Sequence, residues 1–240
     1  MNAKIIEASK DVALAIYAAY KRDRANKYTL PQDCQFDILV RTPSYDGEFW
    51  RFDPQTDAPD GTPRTTVTLK AYDEKSASGE TVCDGASFAP DTPTGVLPAA
   101  ALHDPGYLEM ASIAAAWKDA PFDPGKNFKR DRLARRGANG STTWSEADVR
   151  LLFDTIFGDA MRKSGACGFI VRLYYSAVRF FGGWFTGIFG ANSRLVILAA
   201  LISSLSAGCT DPFDIIDGDT FSPPDPVFVG QISHPMEAMG

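Results

Sequence analysis

The sequence predicts an α+β fold, in which a small antiparallel β-meander packs with three or four helices and an extended C-terminal arm follows. Apolar residues recur at helical spacing near the N-terminus and again over 145–181, whereas they alternate with polar residues between 33 and 83. The last segment joins an apolar stretch to an acidic, proline-rich one. These observations divide the chain into an N-terminal helix (1–30), an α+β core domain (31–182) and a C-terminal arm (183–240).

The strands are predicted from the alternation of apolar and polar residues. Phe36, Ile38 and Val40 alternate with polar neighbours, and residues 49–52 and 67–71 do the same. Clusters of Pro, Gly, Asp and Ser separate these runs, which is typical of turns. The region therefore predicts three or four short antiparallel strands with one buried face.

The helices are predicted from apolar spacing and from their end signals. Residues 3–20 and 167–181 carry apolar side chains three and four positions apart. Ser145 is a good N-cap, and an aspartate three residues later completes a variant of the capping box, so a helix begins there. Two shorter helices are expected at 96–102 and 108–117, because a proline and a glycine lie between them.

The net charge of −6 comes entirely from the C-terminal end of the chain. All 24 Lys and Arg lie at or before Arg194, and residues 195–240 hold six acidic residues and no basic one. The first 194 residues are therefore neutral, which argues against nucleic acid as the main partner. The six basic residues among 126–136 are more typical of a solvated loop than of a contact with DNA or anionic lipid.

The apolar segment Leu195–Ala207 leaves three interpretations open. Ten of its thirteen residues are apolar, yet a membrane-spanning helix needs about 20. The three interpretations are a helix covered by protein, a membrane-inserting segment and, together with Cys209, a processed lipoprotein site. At the other end of the chain, Glu7 and Asp11 interrupt the apolar pattern, which argues against a signal peptide.

His103 is the candidate catalytic residue, because the only other histidine, His234, lies in the arm. A histidine acts as a general base near neutral pH when a neighbouring group holds its tautomer and supports its cation. We expect the carboxylate of Asp148, on the predicted helix, to do so. The same residues also fit structural roles, with His103 at a helix end and Asp148 within a helix cap.

Asp104 and Asp84 are the candidate metal ligands. The four cysteines show no CxxC spacing, and two histidines cannot build a paired zinc signature. Asp104 follows His103 directly and is expected to point away from its ring. With Asp84 and the carbonyls near Gly85 it would form an oxygen-rich site suited to Ca²⁺. Such an ion would polarise a carbonyl and stabilise an oxyanion, although Asp84 also fits a turn.

Several short motifs together resemble a family of uncharacterised proteins of tailed bacteriophages and prophages. The motifs are Asp84-Gly-Ala-Ser-Phe-Ala-Pro90, His103-Asp104, Ser145-Glu-Ala-Asp148 and Ala177-Val-Arg179-Phe-Phe-Gly182. The resemblance covers roughly residues 35–182 and implies a bacteriophage origin. The family usually places an aromatic residue and a leucine after His-Asp, where this chain has Pro105-Gly106. We expect an interrupted helix there, because the proline clashes with the carbonyl of Ala101.

The string His-Asp-x-Gly-Tyr also resembles the phospholipase A2 arrangement. There the histidine is the base, a distant aspartate supports it, and the aspartate after the histidine binds calcium. The resemblance implies that His103 is the base, Asp148 the support and Asp104 the calcium ligand, with Tyr107 beside them. The chain lacks the disulfides and the calcium-loop glycines of the secreted enzymes, so the likeness is an analogy at the level of the motif.

Three functions follow as expectations. The first is a minor virion component of the tail or head–tail region, whose residues 190–240 bind other phage proteins. The second is a phage hydrolase that uses His103 and Asp148, with calcium, on lipid or cell envelope. The third is a membrane-attached lysis factor. The protein is accordingly expected in the virion or the host cytoplasm, with membrane association as the alternative.

Overall fold

Within the described residues, a sheet of four antiparallel strands packs against helices, and three helices supply the side chains of the candidate site. A computed structural model of the chain describes residues 21–22, 28–55, 61–83, 96–130, 141–166 and 168–181. The strands of the sheet are β3 (Cys34–Ile38), β4 (Tyr45–Asp46), β5 (Trp50–Gln55) and β6 (Arg64–Leu69), and a separate pair is formed by β1 (Lys21–Arg22) and β2 (Tyr28–Thr29). The helices are α1 (Val96–Trp117), α2 (Glu146–Lys163) and α3 (Gly168–Phe181). The α+β class is confirmed.

The order of the strands differs from a simple meander. Strands β4, β5 and β6 are neighbours in chain order, but β3 pairs with β6, so that the order across the sheet is β3-β6-β5-β4. This is the strand order of a Greek key. The meander prediction is thus correct for the last three strands and wrong for the first. Alternation sets which face of a strand is buried, but it does not select the neighbouring strand.

The core lies between one face of the sheet and the helices α1 and α2. Trp50 and Phe52 point from β5 towards the helices, and their rings lie 5.4 and 6.3 Å from the ring of Phe153. The ring of Phe52 also meets Trp117 edge-on at 5.2 Å. All four side chains are fully buried. The aromatic contacts therefore hold α1 and α2 in one layer over the sheet.

Helix α1 is continuous through Pro105, which corrects the expected interruption. Proline has no N–H to donate to the carbonyl of Ala101, four residues earlier. The hydroxyl of Tyr72, which lies just after the sheet, donates to that carbonyl at 3.4 Å. A side chain outside the helix thus replaces the missing bond, and the two helices predicted at 96–102 and 108–117 are one.

Helix α2 begins as predicted. Ser145 is its N-cap, and the reciprocal hydrogen bonds of a capping box join Ser145 and Asp148. Helix α3 spans Gly168–Phe181, close to the predicted 167–181. The helical pattern over 3–20 and the arm over 183–240 lie outside the described residues, as does Leu195–Ala207. The end of the predicted N-terminal segment (1–30) is not helical where it is described, since it holds β1 and β2. None of the helices within the described ranges has the length and apolar character needed to cross a membrane.

Candidate active site

Gly106 brings α1 close enough to α2 to build a site between them. A Cβ atom at Gly106 would lie 2.3 Å from Cδ1 of Phe153, a distance that real Cβ atoms do not reach. Only glycine therefore permits this approach of the two helices. His103 lies three residues before Gly106, on the same face of α1. The proline-glycine pair that the sequence marks as an interruption instead positions His103 against α2.

Both ring nitrogens of His103 face carboxylates. Nε2 lies 3.4 Å from Oδ1 of Asp154 on α2, and Nδ1 lies 3.2 Å from Oδ1 of the adjacent Asp104. The ring also packs against the rings of Tyr107 and Phe157, with centroids 4.2 and 5.1 Å away. His103 is buried. Its orientation is consequently fixed by two polar partners and two aromatic ones, and Asp104 does not point away from it as expected.

Asp154 is held by two further donors. The hydroxyl of Tyr107 donates to Oδ1 of Asp154 at 2.7 Å, and a guanidinium nitrogen of Arg179 on α3 donates to Oδ2 at 2.6 Å. The carboxylate side chain is completely shielded from solvent. A buried carboxylate needs such charged and hydrogen-bonding partners to stay ionised. These four side chains therefore link the three helices. His103 and Tyr107 come from α1, Asp154 comes from α2 and Arg179 comes from α3.

The electrostatics favour the ion pair between His103 and Asp154. Burial alone would lower the pKa of His103, but the hydrogen bonds and negative charges of Asp104 and Asp154 outweigh it and raise that pKa to about 9. Burial alone would likewise raise the pKa of Asp154, but His103 and Arg179 hold it below its ordinary value. Burial and the neighbouring carboxylate raise the pKa of Tyr107. Tyr107 is thus a hydrogen-bond donor throughout the physiological range.

Asp148 does not support His103, which corrects the predicted pairing. Its carboxylate accepts two hydrogen bonds from Arg130, at 2.7 and 2.9 Å, and a third from the hydroxyl of Ser145. Arg130 also donates to the carbonyls of Ser141 and Thr143. Asp148 is therefore part of the helix cap and of the loop before it. The structural role that the sequence also allowed for Asp148 is the one its contacts support.

The geometry of α2 explains why Asp154, and not the predicted Asp148, faces His103. Asp148 and Asp154 are six residues apart, which places them about 240° apart around the axis of α2. The cap fixes Asp148 on the first turn and directs it towards Arg130. Asp154 occupies the face towards α1, beside Phe157 and Leu151, where apolar spacing alone would predict a core residue. A charged residue at a core position of a helix is the signal in the sequence that identifies Asp154.

Asp104 retains a feature expected of a metal ligand. Its Oδ2 atom is buried and has no hydrogen-bond partner. In the part of the chain that the structure describes, no group of three or more His, Cys, Asp or Glu side chains is arranged to hold a metal ion. The other predicted ligands, Asp84 and the carbonyls near Gly85, lie outside the described residues. The calcium site stays a prediction, with one carboxylate oxygen available for it.

Arg179 is the second residue of the site that sequence reasoning did not select. It belongs to the motif over 177–182, but nothing in the spacing of α3 indicates its partner. Val171, Tyr175 and Arg179 are four residues apart and form the buried stripe of α3. The signal in the sequence that would identify Arg179 is its position in line with an apolar stripe. A guanidinium buried there needs a carboxylate nearby.

Comparison of the chain with models of known protein families, with curated proteins and with solved structures gives no match.

Proposed function

We propose that this chain is a bacteriophage-encoded hydrolase in which His103 is the general base and Asp154 supports it. The observation that carries the proposal is the fixed carboxylate of Asp154, which faces Nε2 of His103 while Tyr107 and Arg179 hold it in place. A histidine base needs such a carboxylate to select its tautomer and to stabilise the cation that forms. The phage origin is supported by the sequence resemblance alone.

The roles of the two ring nitrogens follow from their partners. Asp154 accepts the proton of Nε2, and Nδ1, which faces Oδ1 of Asp104 at 3.2 Å, must leave that contact to take a proton from water. Water activated in this way attacks the carbonyl carbon of an ester, and the proton taken by Nδ1 is returned to the leaving alkoxide. Tyr107 and Arg179 do not titrate in this cycle; they hold Asp154 while the charge of His103 changes.

Calcium would bind at the same site through Asp104. The buried Oδ2 atom, unpaired within the described ranges, is a suitable oxygen ligand for a hard cation. When bound there, the ion would polarise the ester carbonyl and stabilise the negative charge that develops on its oxygen. Asp104 would hold it, and Asp84 is the further predicted ligand.

The substrate class that we propose is a lipid or cell-envelope ester. The support is the phospholipase-like order of His103, Asp104 and Tyr107, now joined to a distant aspartate on the neighbouring helix. The apolar segment Leu195–Ala207 supplies a means of approaching a lipid surface.

Release of fatty acid from phosphatidylglycerol vesicles, in the presence of millimolar Ca²⁺, tests the proposal on the full-length protein. We expect His103→Ala and Asp154→Asn to lower the rate by about 100-fold or more. The matched controls are His234→Ala and Glu146→Gln, the latter an exposed acid on α2, and both should leave the rate unchanged. A wild-type rate equal to that of His103→Ala would refute the proposal for this substrate class.

The pH profile gives a second criterion. Because its two carboxylates raise the pKa of His103 to about 9, the neutral form that can accept a proton increases between pH 7 and 9. Hydrolysis by a His103 base should therefore rise across this range and level off above it. A rate that is independent of pH between 7 and 9 would assign the activity to another group.

A minor virion component is the second candidate function. The observation that favours it is the occupation of both ring nitrogens of His103 by carboxylates, which suits a group that links three helices. The acidic arm and the phage resemblance agree with a protein that binds other phage proteins through residues 190–240. Mass spectrometry of purified particles tests this function, since peptides of this chain should be present in stoichiometric amounts. Their absence would leave the hydrolase and the membrane-attached lysis factor as the remaining proposals.

A further inference from the structure

We propose that Arg179 is a positioning residue of the hydrolase, which fixes Asp154 for His103 and is itself fixed by Arg150. This inference rests on the function proposed above and adds a third helix to the machinery. Arg179 acts through the carboxylate of Asp154, whose Oδ2 atom accepts its hydrogen bond at 2.6 Å.

The two oxygens of Asp154 have different partners. Oδ1 accepts from Tyr107 and faces Nε2 of His103, whereas Oδ2 faces Arg179. A carboxylate held at one oxygen only can rotate about the bond to its Cβ atom. Arg179 removes this freedom, since a guanidinium is a planar donor with fixed directions. The orientation of Oδ1 towards His103 therefore depends on a residue from α3.

The position of Arg179 is in turn determined by packing. Val171 and Tyr175 precede it on the buried stripe of α3, and the ring of Tyr175 lies against Gly158 of α2. A Cβ atom at Gly158 would lie 3.0 Å from Cδ2 of Tyr175. Helix α3 thus lies close against α2, and Arg179 follows one turn after this contact, opposite Asp154.

Arg150 completes a reciprocal link between α2 and α3. A guanidinium nitrogen of Arg150 donates to the main-chain carbonyl of Arg179 at 3.2 Å. Arg179 therefore donates from α3 to α2, and Arg150 donates from α2 to α3. The charge of Arg150 also lies near the hydroxyl of Tyr107, which donates to the carboxylate of Asp154.

Kinetics on the full-length protein test this role with four variants. Arg179→Gln should lower kcat by about 100-fold with KM unchanged, because a small displacement of the supporting group misplaces the base. Arg179→Lys keeps the charge and should restore part of that loss. Arg150→Gln leaves the ion pair in place and should give a smaller decrease in kcat. Arg172→Gln, at an exposed position of α3, is the control and should match the wild type.

A spectroscopic readout separates this inference from the proposed function. With His234→Ala as background, the ring ¹⁵N signals of His103 report its tautomer and its environment without any substrate. We expect them to shift or broaden in Arg179→Gln and to be unchanged in Arg172→Gln. If the wild type hydrolyses no lipid but the signals respond in this way, the hydrolase proposal fails and the positioning role stands. Identical His103 signals in the wild type and Arg179→Gln, both folded by circular dichroism, would overturn the inference.

Discussion

At the scale of single residues, the site is a set of charges that stabilise one another out of contact with water. Asp154 and Arg179 are almost completely buried, and the His103 side chain is nearly so. Each charge alone would be costly to bury. Together with Asp104 they form two cation–anion pairs, and Tyr107 adds a neutral donor. The stability of the domain should therefore depend on the protonation of His103.

The sign of that dependence follows from the direction of the pKa shift. The pKa of His103 is about 9 in the folded protein, against roughly 6.5 in an unfolded chain. The stabilisation is fully present below about pH 6.5 and is lost as the pH rises through about 9. Over this range the free energy of unfolding of the wild type should fall by about 3 kcal/mol. Asn at position 103 cannot titrate, so the free energy of unfolding of His103→Asn should show no such loss.

Urea unfolding between pH 6 and 9.5 in the presence of EDTA measures this difference. The wild type should lose stability relative to His103→Asn as the pH rises from 6 to 9.5. His234→Asn serves as the control and should follow the wild type. Parallel curves for the wild type and His103→Asn would show that folding does not raise the pKa of His103.

At the scale of secondary-structure elements, α1 has two residues that helices normally avoid in their interior. Pro105 leaves the carbonyl of Ala101 without its helical partner, and Gly106 lacks a side chain where Phe153 approaches. A residue from elsewhere in the fold compensates for each of them. Tyr72 donates a hydrogen bond to the carbonyl of Ala101, and the ring of Phe153 fills the space beside Gly106. A sequence pattern shows the proline and the glycine but not these partners, because both are distant along the chain.

The approach at Gly106 makes a prediction about packing. In Gly106→Ala the new methyl group would overlap the ring of Phe153, so α1 and α2 must move apart. We expect a loss of about 1–3 kcal/mol in the free energy of unfolding, together with weaker contact between His103 and Asp154. Gly168→Ala is the matched control, since among the described residues no atom beyond the adjacent residues and the backbone of its own helix lies within 4 Å of the new Cβ. Equal stabilities for the two variants in chemical denaturation would contradict this account of the helix contact.

The bond between Tyr72 and Ala101 makes a second prediction at this scale. Tyr72→Phe removes the donor to the free carbonyl and should cost about 1 kcal/mol. In a Pro105→Ala background the helix regains its own N–H at position 105, which can donate to Ala101. The cost of Tyr72→Phe should then be smaller. A double-mutant cycle in urea measures the coupling, and a coupling energy of zero would mean that the hydroxyl does not replace the helical bond.

At the scale of the whole molecule, the sequence predicts the secondary-structure elements that depend on local patterns, but not the contacts between distant segments. The approximate positions of β3, β5 and β6, the cap at Ser145 and the helical character of 168–181 depend on neighbours within a few residues, and the structure confirms them. The pairing of β3 with β6 and of His103 with Asp154 depends on how distant segments meet. Residue type alone indicates His103 and Asp104, whereas Asp154 and Arg179 emerge only when the rotation of α2 and α3 is known.

Calcium provides the last prediction, because it acts on the stability of the entire domain. A ligand that binds only the folded protein at 100 times its Kd adds about 2.7 kcal/mol. For a chain of this size that corresponds to a rise in melting temperature of about 5–10 °C. If the buried Oδ2 atom of Asp104 is a ligand, the full-length protein should show this rise with Ca²⁺ and lose it in Asp104→Asn. Asp119→Asn, at an exposed position, should keep it.

The two outcomes have different consequences for the site. A rise that depends on Asp104 would place a cation beside His103, where the charge of the ion can act on a substrate carbonyl. No rise in the wild type would mean that Asp104 acts only on Nδ1 of His103, from its distance of 3.2 Å. His103 would then be a fixed cation between two carboxylates. In that case the charge network would hold the three helices together, and the virion function would be the better supported of the two.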